Sequence, residues 1–139
     1  MNKLLNAPQK DGSSLDAEPI AAELTNWLNE IGCMEAVGQY LVEQYALSVA
    51  RWRQSEEAVS RLGLIAKRGR SGDVGASPYI GIAEQYRKQS TELLAEINRI
   101  VRLNGITPIR SPIEKGGFND AHNQRTAYDA GRSARAVHQ

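Results

Sequence analysis

The sequence predicts an all-α protein in which a short N-terminal helix precedes a long antiparallel helical hairpin. Apolar residues recur at steps of three and four over three segments, which is the spacing of a helical face. The second and third of these segments are long and of similar length, so they are expected to pack on each other. Serine, proline and glycine stand where these segments begin or end, as is usual at helix termini.

The composition indicates one small domain. With 139 residues, of which only 6% are aromatic, the chain predicts a small core that association with other chains enlarges. The single cysteine, Cys33, excludes an internal disulfide and a multi-cysteine metal site within one chain. The chain has neither an apolar run of about 18–20 residues nor the apolar core of a signal peptide, which predicts a soluble intracellular protein. We expect a helical core over residues 16–112, a flexible arm at 1–15 and a flexible tail at 113–139.

The first helix follows the arm. It begins near Asp16, tolerates Pro19 in its first turn and ends at Gly32. Trp27 falls in phase with the apolar stripe of this helix, and we therefore expect it in the core.

The second helix is predicted over residues 34–62. The apolar residues of this segment, which include Leu41, Tyr45 and Trp52, follow steps of three, four and seven. This pattern is close to heptads, so the helix is expected to pack along an equally long partner. Gly38 lies inside the predicted helix, where it costs roughly 1 kcal/mol relative to alanine.

The third helix is the best defined in the chain. Ser77 is expected to cap its start, Pro78 suits the first helical position, and Gly105 supplies the left-handed residue that ends it. Its apolar face is a packing surface, either for the core or for association between chains, and includes Tyr79, Tyr86, Leu93, Ile97 and Ile100.

The segment between the long helices, residues 63–77, is polar and rich in glycine. Its start, Leu64–Ala66, favours a short strand that the following turn residues reverse. Residues 51–70 carry six basic and two acidic side chains, although the net charge of the chain is only +1. The cluster is either a solvated loop or a surface that contacts DNA phosphates. The candidate DNA-binding residues are Arg51, Arg53, Lys67, Arg68 and Arg70.

Patterns for catalysis or metal binding are absent from the sequence. The run GRSGDVG lacks the Lys-Ser/Thr end of a phosphate-binding loop. His122 and His138 lie in the predicted tail, and Cys33 has no histidine near it in sequence. We therefore predict that the protein is not an enzyme and holds no metal or cofactor.

Parts of the chain resemble one group of phage terminase small subunits. In that family a proline after a glycine-containing loop opens a long helix, which closes with a Leu-Gly-Leu-Thr-Pro-like motif and an arginine. Pro78, the run Asn104-Gly105-Ile106-Thr107-Pro108 and Arg110 stand at these positions, and YALSVARW, which includes Tyr45 and Trp52, resembles the family's tyrosine- and tryptophan-bearing helix. The resemblance covers about residues 18–112.

The resemblance implies that the chain is the DNA-recognition component of a viral genome-packaging motor in the host cytoplasm. Such subunits assemble as rings, here expected to hold about eight to eleven chains. They bind the packaging initiation site on viral double-stranded DNA and deliver it to the large subunit, which holds the ATPase and the nuclease. The basic cluster, repeated around a ring, then forms a strong DNA surface.

Two other classes of protein remain open from the sequence. A small helical transcriptional regulator that binds operator DNA as a dimer explains the basic cluster equally well, and it predicts a short recognition helix. The other class is a helical interaction module that does not bind DNA. In that case every basic residue belongs to a solvated face, and no salt-sensitive DNA binding is expected.

Overall fold

The computed structural model describes residues 2–68 and 72–106, and this part of the chain is mostly helical. The predicted tail and the motif residues from Thr107 to Arg110 lie outside the described residues. A short 3-10 helix at Lys3–Asn6 comes first. The elements that follow are α1 (Glu18–Glu30), α2 (Met34–Val37), α3 (Gln39–Leu62), β1 (Ile65–Arg68), β2 (Asp73–Ala76) and α4 (Pro78–Leu103).

Helix α1 forms because its apolar residues recur on one face and because proline occupies its first turn. The helix ends before Gly32, whose φ of +72° suits glycine. The buried face packs mainly on α3. Its buried residues are Ile20, Ala21, Leu24, Trp27 and Leu28.

The second predicted helix is interrupted at Gly38. This residue has φ +86° and ψ 150°, a backbone conformation that is open to glycine and strained for other residues. The prediction of one continuous helix over 34–62 is therefore wrong: α2 ends at Val37 and α3 begins at Gln39. The apolar pattern did not indicate the break because α2 also packs on α3 and α4 and continues the same alternation of apolar residues.

The contact between α3 and α4 is the most extensive between elements in the described residues. Both helices bury small side chains, Ser48 and Ser55 on α3 and Ala83 and Ser90 on α4, as is common on helices that approach closely. Ile97 of α4 is completely buried.

The segment before α1, residues 2–17, contacts α3 through the 3-10 helix and through hydrogen bonds of Asn2 and Gln9. Leu5 is completely buried, and its carbonyl accepts a hydrogen bond from the Ala17 amide at 2.8 Å. The Asn2 amide donates to the Glu43 carboxylate at 3.2 Å. The segment predicted as an arm thus contributes a side chain to the core, while the division of the chain into arm, core and tail stays a prediction.

The start of α4 is capped as predicted. The Ser77 hydroxyl accepts a hydrogen bond from the Tyr79 amide at 3.3 Å, and Ser77 is buried. The Ser77 amide donates to the Leu64 carbonyl at 2.8 Å, which joins the start of α4 to the residue before β1.

Replacing this cap is expected to destabilise the protein. Ser77→Ala removes the acceptor for an otherwise unpaired helix amide, so the free energy of unfolding should fall by about 1 kcal/mol. Urea denaturation followed by circular dichroism measures the change. The control is Ser60→Ala, an exposed position inside α3, which should stay within about 0.5 kcal/mol of wild type. Equal effects of the two substitutions would show that the cap contributes nothing.

Candidate nucleic-acid interface

The predicted basic segment forms a β-hairpin. β1 pairs antiparallel with β2, and the paired residues run from Ile65 with Ala76 to Arg68 with Asp73. Because side chains alternate between the faces of a sheet, Lys67 shares a face with Ile65, Val74 and Ala76. Lys67, Ile65 and Val74 are exposed. Lys67 therefore lies on an open face that combines a cation with apolar side chains.

The other two hairpin cations are only partly described. For Arg68 the structure describes the backbone, which pairs with Asp73 at the end of the two strands. Arg70 falls in residues 69–71, which lie outside the described residues. The two stay predictions as DNA-binding residues.

Arg51 and Arg53 do not share a surface. Residues two apart on a helix are rotated by about 200° from each other. Arg51 is half-buried, and one guanidinium nitrogen donates to Gln9 Oε1 at 3.1 Å and to Gln54 Oε1 at 2.7 Å. Gln54 Nε2 also donates to Gln9 Oε1, at 2.8 Å. Arg51 thus fastens the N-terminal segment to α3, whereas Arg53 is exposed.

The N-terminal segment, which is hydrogen-bonded to α3 through Gln9, also carries an exposed lysine. Gln9 closes a turn in which its amide donates to the Ser13 carbonyl at 2.8 Å and its carbonyl accepts from the Gly12 amide at 3.0 Å. Lys10 lies in this turn and is exposed. Because Gln9 is bonded to α3, the turn that carries Lys10 lies beside that helix.

Arg61, near the end of α3, lies within electrostatic range of the same turn. Hydrogen bonds from Ser13 lower the pKa of the Asp11 carboxyl, and Arg61 contributes a smaller lowering. Lys10 and Arg61 were missed as site residues because about 50 positions of sequence separate them. The sequence did contain one indication that Arg61 belongs to the basic surface, because this residue lies within the basic run 51–70.

Two other arginines, both on α4, form ion pairs with glutamates of the same helix. Arg87 pairs with Glu84 at 2.5 Å, and Arg99 pairs with Glu96 at 2.6 Å. The hydrogen bond from each arginine lowers the pKa of its glutamate, and the side chains are largely open to solvent. These cations are matched by acids one helical turn away, so they add little net positive potential.

Within residues 2–68 and 72–106, no three or more His, Cys, Asp or Glu side chains form a cluster suited to a metal ion. Cys33 is buried, and both histidines lie outside the described residues. None of the helices described combines the length and apolarity needed to cross a membrane.

Comparison with family models gives a match over residues 22–98, which is more than half of the chain. The matching family is described as phage terminase, small subunit. The matched residues run from α1 through the β-hairpin into the C-terminal half of α4. Searches of curated proteins and of solved structures found no match.

Proposed function

Because the chain belongs to the phage terminase small-subunit family, whose role is in phage DNA packaging, we propose that it binds viral double-stranded DNA at the packaging initiation site. The observation that carries the proposal is the exposed hairpin face with Lys67, which has no acidic partner among its described neighbours on that face. Such a surface suits contacts to phosphates.

The proposed DNA-contacting set centres on the hairpin and differs from the sequence-predicted set at Arg51. Lys67, Arg68 and Arg70 contribute phosphate contacts, and exposed Arg53 extends the surface along α3. In this proposal Arg51 has a structural role instead, because its guanidinium already donates hydrogen bonds to two glutamine side chains. Lys10 and Arg61 add positive charge beside the end of α3 that leads into the hairpin. Phosphate contacts position the DNA but do not read its sequence.

The active form in this proposal is a ring of about eight to eleven chains, built from the long antiparallel helical hairpin of α3 and α4. Repetition around a ring raises the effective concentration of a weak basic surface. The ring works in the host cytoplasm, presents DNA to the large terminase subunit and regulates its ATPase and nuclease. The small subunit itself performs no catalysis and needs no cofactor, in keeping with a family that is generally non-catalytic.

The dimeric regulator that the sequence left open has less support. It requires a short helix that enters the major groove and reads bases. In the described part of the chain the shortest α-helix is α2, which has four residues, and the next shortest, α1, carries acidic side chains and no lysine or arginine.

A matched pair of variants tests the DNA contacts. The hairpin variant Lys67→Gln/Arg68→Gln/Arg70→Gln removes three positive charges, and the control Lys3→Gln/Lys88→Gln/Arg102→Gln removes three exposed charges elsewhere. The two variants have the same net charge. Affinity is measured by fluorescence anisotropy on duplex fragments tiled along the phage genome, at several salt concentrations.

We expect the hairpin variant to bind DNA roughly ten- to a hundredfold more weakly than wild type. The slope of log affinity against log salt should also become shallower by about 0.9 for each phosphate that the variant no longer neutralises. The control should stay within about threefold of wild type if local charge, rather than net charge, governs binding. Equal weakening in both variants would contradict a DNA surface at the hairpin, and salt-independent binding by wild type would contradict phosphate contacts altogether.

A further inference from the structure

The β-hairpin has an exposed face and a half-buried face. We call the exposed one the open face; it consists of two cross-strand pairs, Ile65 with Ala76 and Lys67 with Val74. All four residues are exposed, and the isoleucine and the valine are 66% and 65% exposed. On the other face a half-buried alanine, Ala66, pairs with a half-buried glycine, Gly75. The larger side chains therefore lie on the side that is open to solvent.

The hairpin projects from the helices. Within the described residues its two strands contact each other extensively and make few contacts with any helix. Its base is fixed, because the Ser77 amide, just before α4, donates to the Leu64 carbonyl at 2.8 Å. Such a preformed ribbon loses little conformational freedom when it enters a cleft of a binding partner.

The chemistry of the open face combines positive charge with apolar surface. Lys67 lies opposite Val74 in the ladder and on the same side of β1 as Ile65, and the open face includes no acidic residue. Branched apolar side chains gain from removal from water, and the ammonium group favours an anionic partner. A partner that satisfies both has anionic groups beside apolar groups. The major groove of DNA does so, because phosphates line its edges and thymine methyl groups lie inside it.

The dimensions of the hairpin match those of the same groove. Antiparallel strands lie about 4.7–4.9 Å apart, and the ladder from Ile65 to Arg68 extends about 10 Å. The major groove is about 12 Å wide and admits a two-stranded ribbon, whereas the minor groove is only about 6 Å wide. At about 3.4 Å per base pair, the ladder is long enough to cover about three base-pair steps.

We infer that the β-hairpin enters the major groove of viral DNA and that its open face distinguishes base pairs there. Ile65 and Val74 contact thymine methyl groups inside the groove, and Lys67 keeps a phosphate contact at the edge of the groove. This inference rests on the proposed function, because both have DNA as the ligand. It adds a sequence-reading element to a surface whose phosphate contacts only position the duplex.

The test replaces the apolar side chains of the open face without changing its charge. Ile65→Thr/Val74→Thr keeps a β-branched residue at both positions, so the tendency to form strands is retained while apolar surface is lost. Leu62→Thr/Leu64→Thr is the control, because these residues are 56% and 65% exposed, precede the hairpin and lie outside its paired strands. Circular dichroism and urea denaturation check that each variant is folded.

Two forms of one duplex provide the probe. The sequence is that of the tiled genome fragment that wild type binds most tightly, and the second form carries uracil in place of every thymine. Uracil lacks the C5-methyl group, which lies in the major groove, and it leaves the phosphates and the minor-groove edges of the bases unchanged. Fluorescence anisotropy gives the affinity for each form at several salt concentrations.

Wild type is expected to bind the uracil form roughly fourfold more weakly for each methyl group that it contacts. The open-face variant should bind both forms equally and keep the salt dependence of wild type, since its cations are unchanged. The control should keep the preference for the thymine form. The inference is overturned by a wild type that binds both forms equally, by an open-face variant that keeps the preference, or by a control that loses it. Val74→Thr alone, with a smaller expected loss of preference, repeats the measurement if the pair does not fold.

Netropsin identifies the groove independently. This compound occupies the minor groove of A·T base pairs and leaves the major groove open. Wild type on the thymine form should stay bound as netropsin is added. Displacement by netropsin would place the hairpin in the minor groove and would overturn the inference.

The salt dependence separates this inference from the proposed function. If wild type binds DNA in a salt-dependent manner without any preference for the thymine form, the groove inference is wrong and the DNA proposal stands. If wild type shows no salt-dependent binding to any duplex, the DNA proposal is wrong and the groove inference is wrong with it.

Discussion

Ile97→Ala is expected to lower the free energy of unfolding by about 2–5 kcal/mol, a large part of the stability of a domain this size. Ile97 is completely buried and belongs to α4, the helix whose main contact is with α3. Truncation to alanine removes the transfer free energy of three carbon atoms and leaves a cavity.

This measurement has to allow for association between chains. Association stabilises the folded state and makes unfolding depend on concentration, so wild type and Ile97→Ala are compared at matched protein concentrations over a wide range. Urea denaturation followed by circular dichroism then gives the free energy and the m-value. The control is Tyr40→Ala, at a residue that is 75% exposed, and it should change the free energy by no more than about 0.5 kcal/mol. A decrease of less than about 0.5 kcal/mol for Ile97→Ala would contradict a packed core around this residue.

Gly38→Ala is expected to lower the free energy of unfolding by about 1–3 kcal/mol, whereas Gly81→Ala is expected to raise it by up to about 1 kcal/mol. At both glycines an added Cβ has no atom within 4 Å, so crowding plays no part in either substitution. The difference lies in the backbone. Gly38 has φ +86°, which strains alanine, while Gly81 lies inside α4 with a conformation that alanine favours.

The sign of the Gly38→Ala effect decides between two descriptions of the chain. A continuous helix over residues 34–62 makes Gly38 an ordinary helical glycine, and alanine then stabilises the protein by roughly 1 kcal/mol. The break between α2 and α3 makes the same substitution destabilising. Urea denaturation of the Gly38→Ala and Gly81→Ala variants measures both signs; stabilisation by both would contradict the break.

The sequence by itself determined the features that depend on neighbouring residues. Ser77 and Pro78 defined the start of α4 because capping and the fixed φ of proline act within one turn. The end of α1 before Gly32 followed from a breaker residue in the same way, and the turn residues predicted a short strand at Leu64–Ala66, which the structure has at Ile65–Arg68. Membership of the phage terminase small-subunit family was also predictable, because the resemblance depends on the order of the residues that begin and end the helices.

Only the tertiary structure decided the features that depend on contacts across the chain. One hydrogen bond joins Arg51 to Gln9 across 42 positions, so Arg51, which the sequence predicted as a DNA contact, holds the N-terminal segment against α3. The periodicity of α4 predicted an apolar face, but it did not indicate which members of that face are buried: Ile97 is completely buried, whereas Tyr79 is 39% exposed. A glycine can lie inside a helix or at a position with positive φ. Gly38 has the positive φ in the structure, where α2 packs on α3 and α4. Local sequence limits the conformations that a segment can adopt, and long-range packing chooses among them because burial of apolar surface is a property of the whole fold.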